Sequence, residues 1–543
     1  MRLFLAVIVA ALMLPGVAEA ARFAVGVAPG TDVDAFARRL EARTGGSAST
    51  IGPFAVALEA QTARGVARMR GVTFVERLNA QRRVSFVPTD PFFSRQWHIP
   101  FVRGFEAWAF RPAWLHGVRV AIIDSGIDRG HPEFEGKLVA ATTFVGGSAF
   151  RDKHGHGTFV AGLIAARLDN EGIAGLAFPA KLIVAKVVRD DGVVPLEAEA
   201  RAIRWAVDRG ARVINLSLGG LRDPLDPNHD SYSALEASAV EYAVRKGAVV
   251  VAAVGNSDLA KERPWHYASY PAALPHVLGV SALARDGSVP MFSNRDDLYN
   301  DIAAPGDDLF STLPRSMTAL RPTCLEQGYS ECGPQEFRNA QGTSFASAIV
   351  TAGATILRSN RPDLGAAQIR AILERSAADQ TTASGCRRCT AGRDALSGWG
   401  KLDIATAVSW NRDFPAPDRY EPNDDAGARA ARVVRRRVVK RRASIDFWND
   451  QNDVYSVRLK KGERLSAALY GQKGLDVNLV LWNPGTRGLD DVRALSGRWV
   501  DKSDSPGWIE KLAYRAHRAG RYFVQVKISD PGAGPYTLLL VRK

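Results

Sequence analysis

Asp124 ends the apolar run VRVAIID, and His156 stands between glycines in RDKHGHGTFVAG, just ahead of a helix-like stretch. Asn256 follows VVVAAVG, and Ser344 opens the helix-like stretch SFASAIVTAGATILRS with Gly342 just ahead. These four residue types could together perform acyl transfer. A serine hydroxyl is a weak nucleophile at its free pKa and needs an adjacent base. A histidine can take that proton and return it to a leaving amine. An aspartate can orient the imidazole and stabilise its cation. An asparagine amide can donate to the developing oxyanion, as can the backbone N–H of the nucleophile. Singly, each has a plainer reading: a turn residue after a strand, a cap, a loop histidine, a helix N-cap. The two histidines alone allow metal ligands, a base or ordinary loop residues. The chain supplies no further zinc-type ligands around them. His154 and Asp152 are therefore read as loop residues, and the glycines beside His156 as clearing space at the imidazole.

The elements that must position these residues are legible from Gly117 onward. VRVAIID, KLIVAKVV, RVINLSLGG, AVVVAAVGN and VLGVSAL are apolar on both faces and are separated by helix-like runs. That pattern predicts a buried, mostly parallel sheet in a doubly wound α/β domain. Open sheets of this kind bind ligands beyond the carboxyl ends of their strands, where Asp124 and Asn256 fall. The stretch SLGG, Ser217 to Gly220, would offer an edge to which an extended peptide adds through main-chain bonds.

With 543 residues the chain is too long for one ordinary domain. Residues 1–20 have an early arginine, an apolar run and Ala18-Glu19-Ala20, which reads as a signal peptide and predicts secretion rather than stable membrane insertion. Residues 21–88 alternate strand and helix patterns, with Thr31 expected to cap DVDAFARRLEARTGG, and predict a small α+β unit. Residues 89–412 form the α/β domain and 413–420 a polar, Pro-rich linker. Residues 421–543 show short strands with no long helix between them, an antiparallel β-sandwich.

The net charge is +14, from 71 Lys and Arg against 57 Asp and Glu. No zinc finger, aromatic-studded basic strand or dinucleotide fingerprint accompanies it, so nucleic acid is not an expected partner. The run ARVVRRRVVKRR, Ala431 to Arg442, reads as an arginine-rich edge strand with its valines facing in, in preference to a polyanion-binding strip. The four cysteines suggest neighbour pairing, Cys324 with Cys332 and Cys386 with Cys389.

Taken together, the motifs resemble those of the subtilases, the subtilisin-family serine peptidases. VAIIDSGID resembles the family's aspartate motif, HGHGTFVAG its histidine motif and GTSFASA its serine motif. INLSLGG resembles the substrate-binding strand and AAVGN the oxyanion asparagine segment. Phe159 and Ala348 depart from the family, which often has histidine and usually proline there. The resemblance implies Asp124, His156 and Ser344 as the catalytic residues, Asn256 in the oxyanion hole, and Ser217, Leu218 and Gly219 at the substrate. It implies a monomeric endopeptidase acting on proteins, with residues 21–88 resembling an inhibitory propeptide and DRYEPNDD opening a bacterial pre-peptidase C-terminal domain. No cofactor is required for the chemistry. Many members bind structural calcium; the counterpart loop here, LDNEGIAGLAFP, is short, with Glu133 in HPEFEG the other place to look. Two other readings are a different acyl hydrolase, opposed by the absence of a G-x-S-x-G elbow, and a non-catalytic binding protein using the basic C-terminal unit.

Overall fold

A computed structural model describes residues 21–78, 87–109, 117–226, 228–257, 260–320, 336–414, 416, 418–434, 436–448, 450–486, 489 and 499–543. The expected leader at 1–20, the Cys324–Cys332 pair and Arg435 lie outside them. The chain divides into two compact units at residue 85. The first contains β1 (Ala21–Val27), α1 (Val33–Thr44), β2 (Ser47–Gly52), β3 (Ala55–Ala60) and β4 (Val72–Arg77). Its antiparallel sheet has the order β2-β3-β1-β4. Helix α1 lays Phe36 and Leu40 against Val25, Val56 and Leu58. Asp32, not Thr31, caps this helix. Asp32 Oδ1 accepts the Ala35 N–H at 3.0 Å, whereas the Thr31 hydroxyl donates to the Ala28 carbonyl. Strand β2, SASTIG, has no apolar alternation, and only its pairing with β3 defines it.

The second unit begins with short helices α2 (His98–Phe101) and α3 (Gly104–Trp108). There follow β5 (Arg119–Asp124), β6 (Leu138–Thr143), α4 (His156–Ala165), β7 (Lys181–Lys186), α5 (Leu196–Asp208), β8 (Val213–Leu216), α6 (Ala234–Arg245), β9 (Val249–Ala253), β10 (Val277–Leu283) and β11 (Ile302–Pro305). A hairpin of β12 (Leu309–Thr312) and β13 (Phe337–Ala340) leads to α7 (Thr343–Asn360) and α8 (Ala366–Ser376). The seven-stranded sheet has the order β11-β10-β9-β8-β5-β7-β6, every pair parallel. Val120 and Ile122 of β5 join the core beneath α4 and α7, while Ala121 and Ile123 join the core beneath α5 and α6. Covering both faces explains why these strands are apolar throughout rather than alternating. Ala348 is fully buried in an unbroken α7, and Phe159 packs on Phe345 with ring centroids 4.4 Å apart. Cys386 and Cys389 are joined by a disulfide in a short turn.

The C-terminal region contains β14 (Ala431–Arg432), β15 (Val438–Asp446), β16 (Asn452–Leu459), β17 (Arg464–Tyr470), β18 (Val477–Trp482), β19 (Trp499–Ser503), β20 (Ile509–Arg515), β21 (Gly520–Ile528) and β22 (Ala533–Arg542). They form two sheets, β14-β16-β21-β18-β19 and β15-β22-β17-β20. Leu465, Leu469, Leu538 and Leu540 of one sheet meet Tyr455, Val457, Leu479 and Val524 of the other. The arginine-rich run does supply an edge strand, β15. Its valines face in only in part: Val439 is buried, but Val434 and Val438 are exposed.

Candidate active site

The four polar residues lie at or just past the carboxyl ends of β5 and β9, which flank β8, and at the starts of α4 and α7. Asp124 is the last residue of β5 and is buried. His156 is the first residue of α4, with its side chain 31% exposed. Its Nδ1 lies 2.8 Å from Asp124 Oδ1 and 3.0 Å from Oδ2, so the carboxylate fixes the ring. Burial works against the imidazolium. The bonded Asp124 charge and the nearby Asp152 charge outweigh it, and the His156 pKa is raised above the ordinary 6.5. Phe345 supports the imidazole, with ring centroids 5.5 Å apart.

The glycines flanking His156 serve the backbone rather than the space around the imidazole. Gly155 has φ 77°, a left-handed conformation in which a side chain is strained. A Cβ on Gly157 would lie 2.3 Å from the Gly126 carbonyl and 3.2 Å from the Asp124 side chain. Asp152 is also more than a loop residue, because its buried carboxylate collects five donors. Oδ1 accepts from Ser125 Oγ at 2.8 Å, His154 N at 3.1 Å and Gly155 N at 2.8 Å. Oδ2 accepts from Thr158 N at 2.9 Å and Thr158 Oγ1 at 2.7 Å. It thereby satisfies a first-turn amide of α4 that the helix itself leaves open. Ser125 Oγ takes the next, accepting from Gly157 N at 2.9 Å. His154 is peripheral, with its ring nitrogen 3.0 Å from the Arg189 carbonyl.

Ser344 occupies the first turn of α7, after Gly342. Its Oγ donates to the Ser217 carbonyl at 3.2 Å and makes no hydrogen bond to His156. Beneath it lies a buried polar network that spacing alone did not suggest. Ser217 Oγ donates to the Ser344 carbonyl at 2.6 Å, accepts from Asn215 Nδ2 at 2.8 Å and lies 2.8 Å from Ser347 Oγ. Asn215 Oδ1 in turn accepts from Thr351 Oγ1 at 2.9 Å and Ser347 Oγ at 3.2 Å. This network pins the end of β8 to α7. Asn256 Oδ1 accepts from Thr343 N at 2.9 Å and Thr343 Oγ1 at 2.8 Å. With its oxygen engaged, the Asn256 amide group is left to donate beside Ser344.

Leu218 and Gly219 extend past β8, and Gly220 pairs with Tyr270 as an isolated antiparallel bridge. Next to them a cavity of about 140 Å³ is lined by Leu218, Ala253, Gly255, Ser257, Ser269 and Asn294, together with Asn256 and Ser344. No charged side chain lines it. A larger cavity of about 610 Å³, among Arg375, Trp399, Trp410 and Trp448, contains none of these residues.

Glu133 is buried beside Asp90 and Asp169. Burial, then the charges of Asp169 and Asp90, push its carboxyl up to about 8. Its Oε1 accepts the Ile173 N–H at 2.8 Å, but its Oε2 and the Asp90 Oδ2 are buried without a hydrogen-bond partner. Orphaned carboxylate oxygens of this kind suit a hard cation. Among the described residues, two groups bring ligand atoms close enough to share a metal ion: Asp223, Asp226 and His229, where Lys261 Nζ lies 3.1 Å from both aspartates, and Glu421, Asp424 and Asp450 in the C-terminal region.

The subtilase family matches residues 116–400. Thermitase of Thermoactinomyces vulgaris is 34% identical over 54% of this chain and 92% of its own. Subtilisin DY of Bacillus licheniformis is 33% identical over 48% of this chain and 83% of its own. The major intracellular serine protease of Bacillus subtilis is 35% identical over 40% of this chain and 66% of its own. With that extent of agreement over the parallel-sheet region, the chain belongs to the subtilase family of subtilisin-like serine endopeptidases.

Proposed function

We propose that the chain is a secreted serine endopeptidase, made as a zymogen, that cleaves proteins through an acyl-enzyme on Ser344. His156 removes the Ser344 Oγ proton as that oxygen attacks the scissile carbonyl, and the same proton later passes to the leaving amine. Asp124 holds Nδ1 and stabilises the imidazolium. The Ser344 N–H, at the electropositive start of α7, and the Asn256 amide receive the oxyanion. Water then repeats the sequence on the ester. The observation that carries this reading is the bonded pair of Asp124 and His156, whose imidazole packs on Phe345 next to the first-turn Ser344, where the neighbouring asparagine has only its amide left to donate. Ser217, Leu218 and Gly219 hold an extended substrate as an added strand, and the uncharged cavity beside them receives an uncharged side chain before the scissile bond.

Residues 21–88 are the propeptide in this reading, supported by a small, separately compact unit, and the chain works as a monomer. Among the described residues, no helix is long and apolar enough to cross a membrane. The reaction itself asks for no cofactor. Asp90, Glu133 and the 168–179 loop are proposed to hold a structural calcium ion, which supplies charge neutralisation there. A fluorophosphonate probe should label the mature wild type and not Ser344→Ala. Wild type should also release a fragment ending near residues 80–97 that Ser344→Ala retains. Equal labelling of both proteins would defeat the assignment of the nucleophile, and identical masses would defeat the zymogen.

A further inference from the structure

The outward face of the sheet β15-β22-β17-β20 is cationic and apolar, and the one acidic residue on its alternation, Asp446 at the end of β15, is buried. Strand register fixes which residues share it. Val438, Val541, Ser466 and Ala513 form one row across the sheet. Lys440, Leu539, Ala468 and Lys511 form the next, and Arg442, Thr537, Tyr470 and Ile509 the one after. Arg464 and Arg515 pair at the end of β17 and β20. The intervening residues, such as Val439, Leu465, Leu512 and Leu538, point into the sandwich core, so the alternation is complete. Lys440, Arg442, Arg464, Lys511 and Arg515 are all exposed, and none forms an ion pair with a described residue. Val438, Ile509 and Tyr470 are 52%, 48% and 41% exposed.

We propose that this face docks the protein on an anionic phospholipid surface. The cations sit on the two edge strands and at one end, and the edge strands lie about 14 Å apart across the sheet. A strip of small and apolar side chains lies between them. A soluble polyanion would reward the cations alone. The aromatic and aliphatic side chains in the same rows match the headgroup–acyl boundary, where amphipathic rings and aliphatic groups are stabilised. A second copy of this chain would bring like charges together. The docking is peripheral and does not depend on the assignment of the catalytic residues. The arginine-rich run contributes Lys440 and Arg442 to it, whereas Arg441 turns toward the Tyr420 ring, 5.3 Å from its centroid.

The test uses the purified chain, inactivated with a serine-directed inhibitor, and sedimentation with vesicles. Partition onto equimolar phosphatidylcholine and phosphatidylglycerol is expected, with little onto phosphatidylcholine alone and a fall with added salt. Each cation near such a surface adds roughly fivefold to the partition constant. Lys440→Glu/Arg442→Glu/Lys511→Glu should therefore lower it by at least about a hundredfold. The matching glutamine triple should lower it less, with the unfolding curve of either variant unchanged. Tyr470→Ser/Ile509→Ser should weaken vesicle binding and leave binding to soluble heparin unaltered. Equal partition onto both vesicle types, or indifference to the charge reversals in folded protein, would overturn the proposal. Vesicle binding unmoved by Tyr470→Ser/Ile509→Ser would replace the bilayer with a soluble polyanion.

Discussion

Asp152→Asn isolates what the buried carboxylate behind His156 contributes. Asp152 takes three donors on Oδ1 and two on Oδ2, and its charge helps raise the His156 pKa. An asparagine that keeps its oxygen on the Oδ1 side turns an NH₂ toward Thr158. The Thr158 hydroxyl can rotate to accept, but the Thr158 amide at the start of α4 is left without an acceptor. Losing one charge-assisted bond and stranding one buried donor costs about 3 kcal/mol. On unfolding in urea, monitored in the Ser344→Ala background to prevent self-digestion, that is a more than hundredfold shift toward the unfolded state. The second readout is kcat/KM on a peptide substrate against pH. The base must be neutral, so activity falls as pH drops through the His156 pKa. Removing the Asp152 charge lowers that pKa, and the acid limb should move to lower pH. A stable variant with an unmoved acid limb would refute the view that Asp152 both braces α4 and biases the imidazole. Lost stability without a moved limb would leave only the brace.

Asn256→Ala should lower kcat by about 10²–10³, the cost of losing one such donor in subtilisins, with KM little changed; a change confined to KM would remove it from the oxyanion hole. Peptide-library cleavage should show uncharged residues before the scissile bond, and a preference for lysine or aspartate there would contradict the uncharged cavity. Glu199 of α5 and Glu236 of α6 are buried together, and burial raises both carboxyls, Glu236 to about 7. Raised folded-state values mean stability that is intact at low pH and is lost as pH rises through about 7, so Glu236→Gln should flatten the decline in unfolding free energy between about pH 5 and about pH 8. Chelation should destabilise the wild type, by about 2.7 kcal/mol relative to calcium at a hundredfold excess over its Kd, and should leave Glu133→Gln unmoved; equal loss in both would place the ion elsewhere.

The strands that carry Asp124, Ser217 and Asn256 were legible because a sheet buried on both faces leaves uninterrupted apolar runs, and ligand-binding residues of such sheets fall just past their carboxyl ends. His156 and Ser344 were legible for a similar reason, since each opens a helix-like run after a glycine. The sandwich strands β16, β17, β18, β21 and β22 also announced themselves by alternation and turns. What sequence could not supply was partnership. Asp152 meets Ser125 only when the ends of β5 and α4 come together, and Asn215 and Ser217 bond to Ser347 and Thr351 across more than a hundred positions. Asp32 rather than Thr31 caps α1 because the cap depends on backbone angles at one residue. The arginine-rich run is a charge count in the sequence. Strand register alone decides that Lys440 and Arg442 share a face with Tyr470 and Lys511, because a shift of one residue would turn each of them into the core.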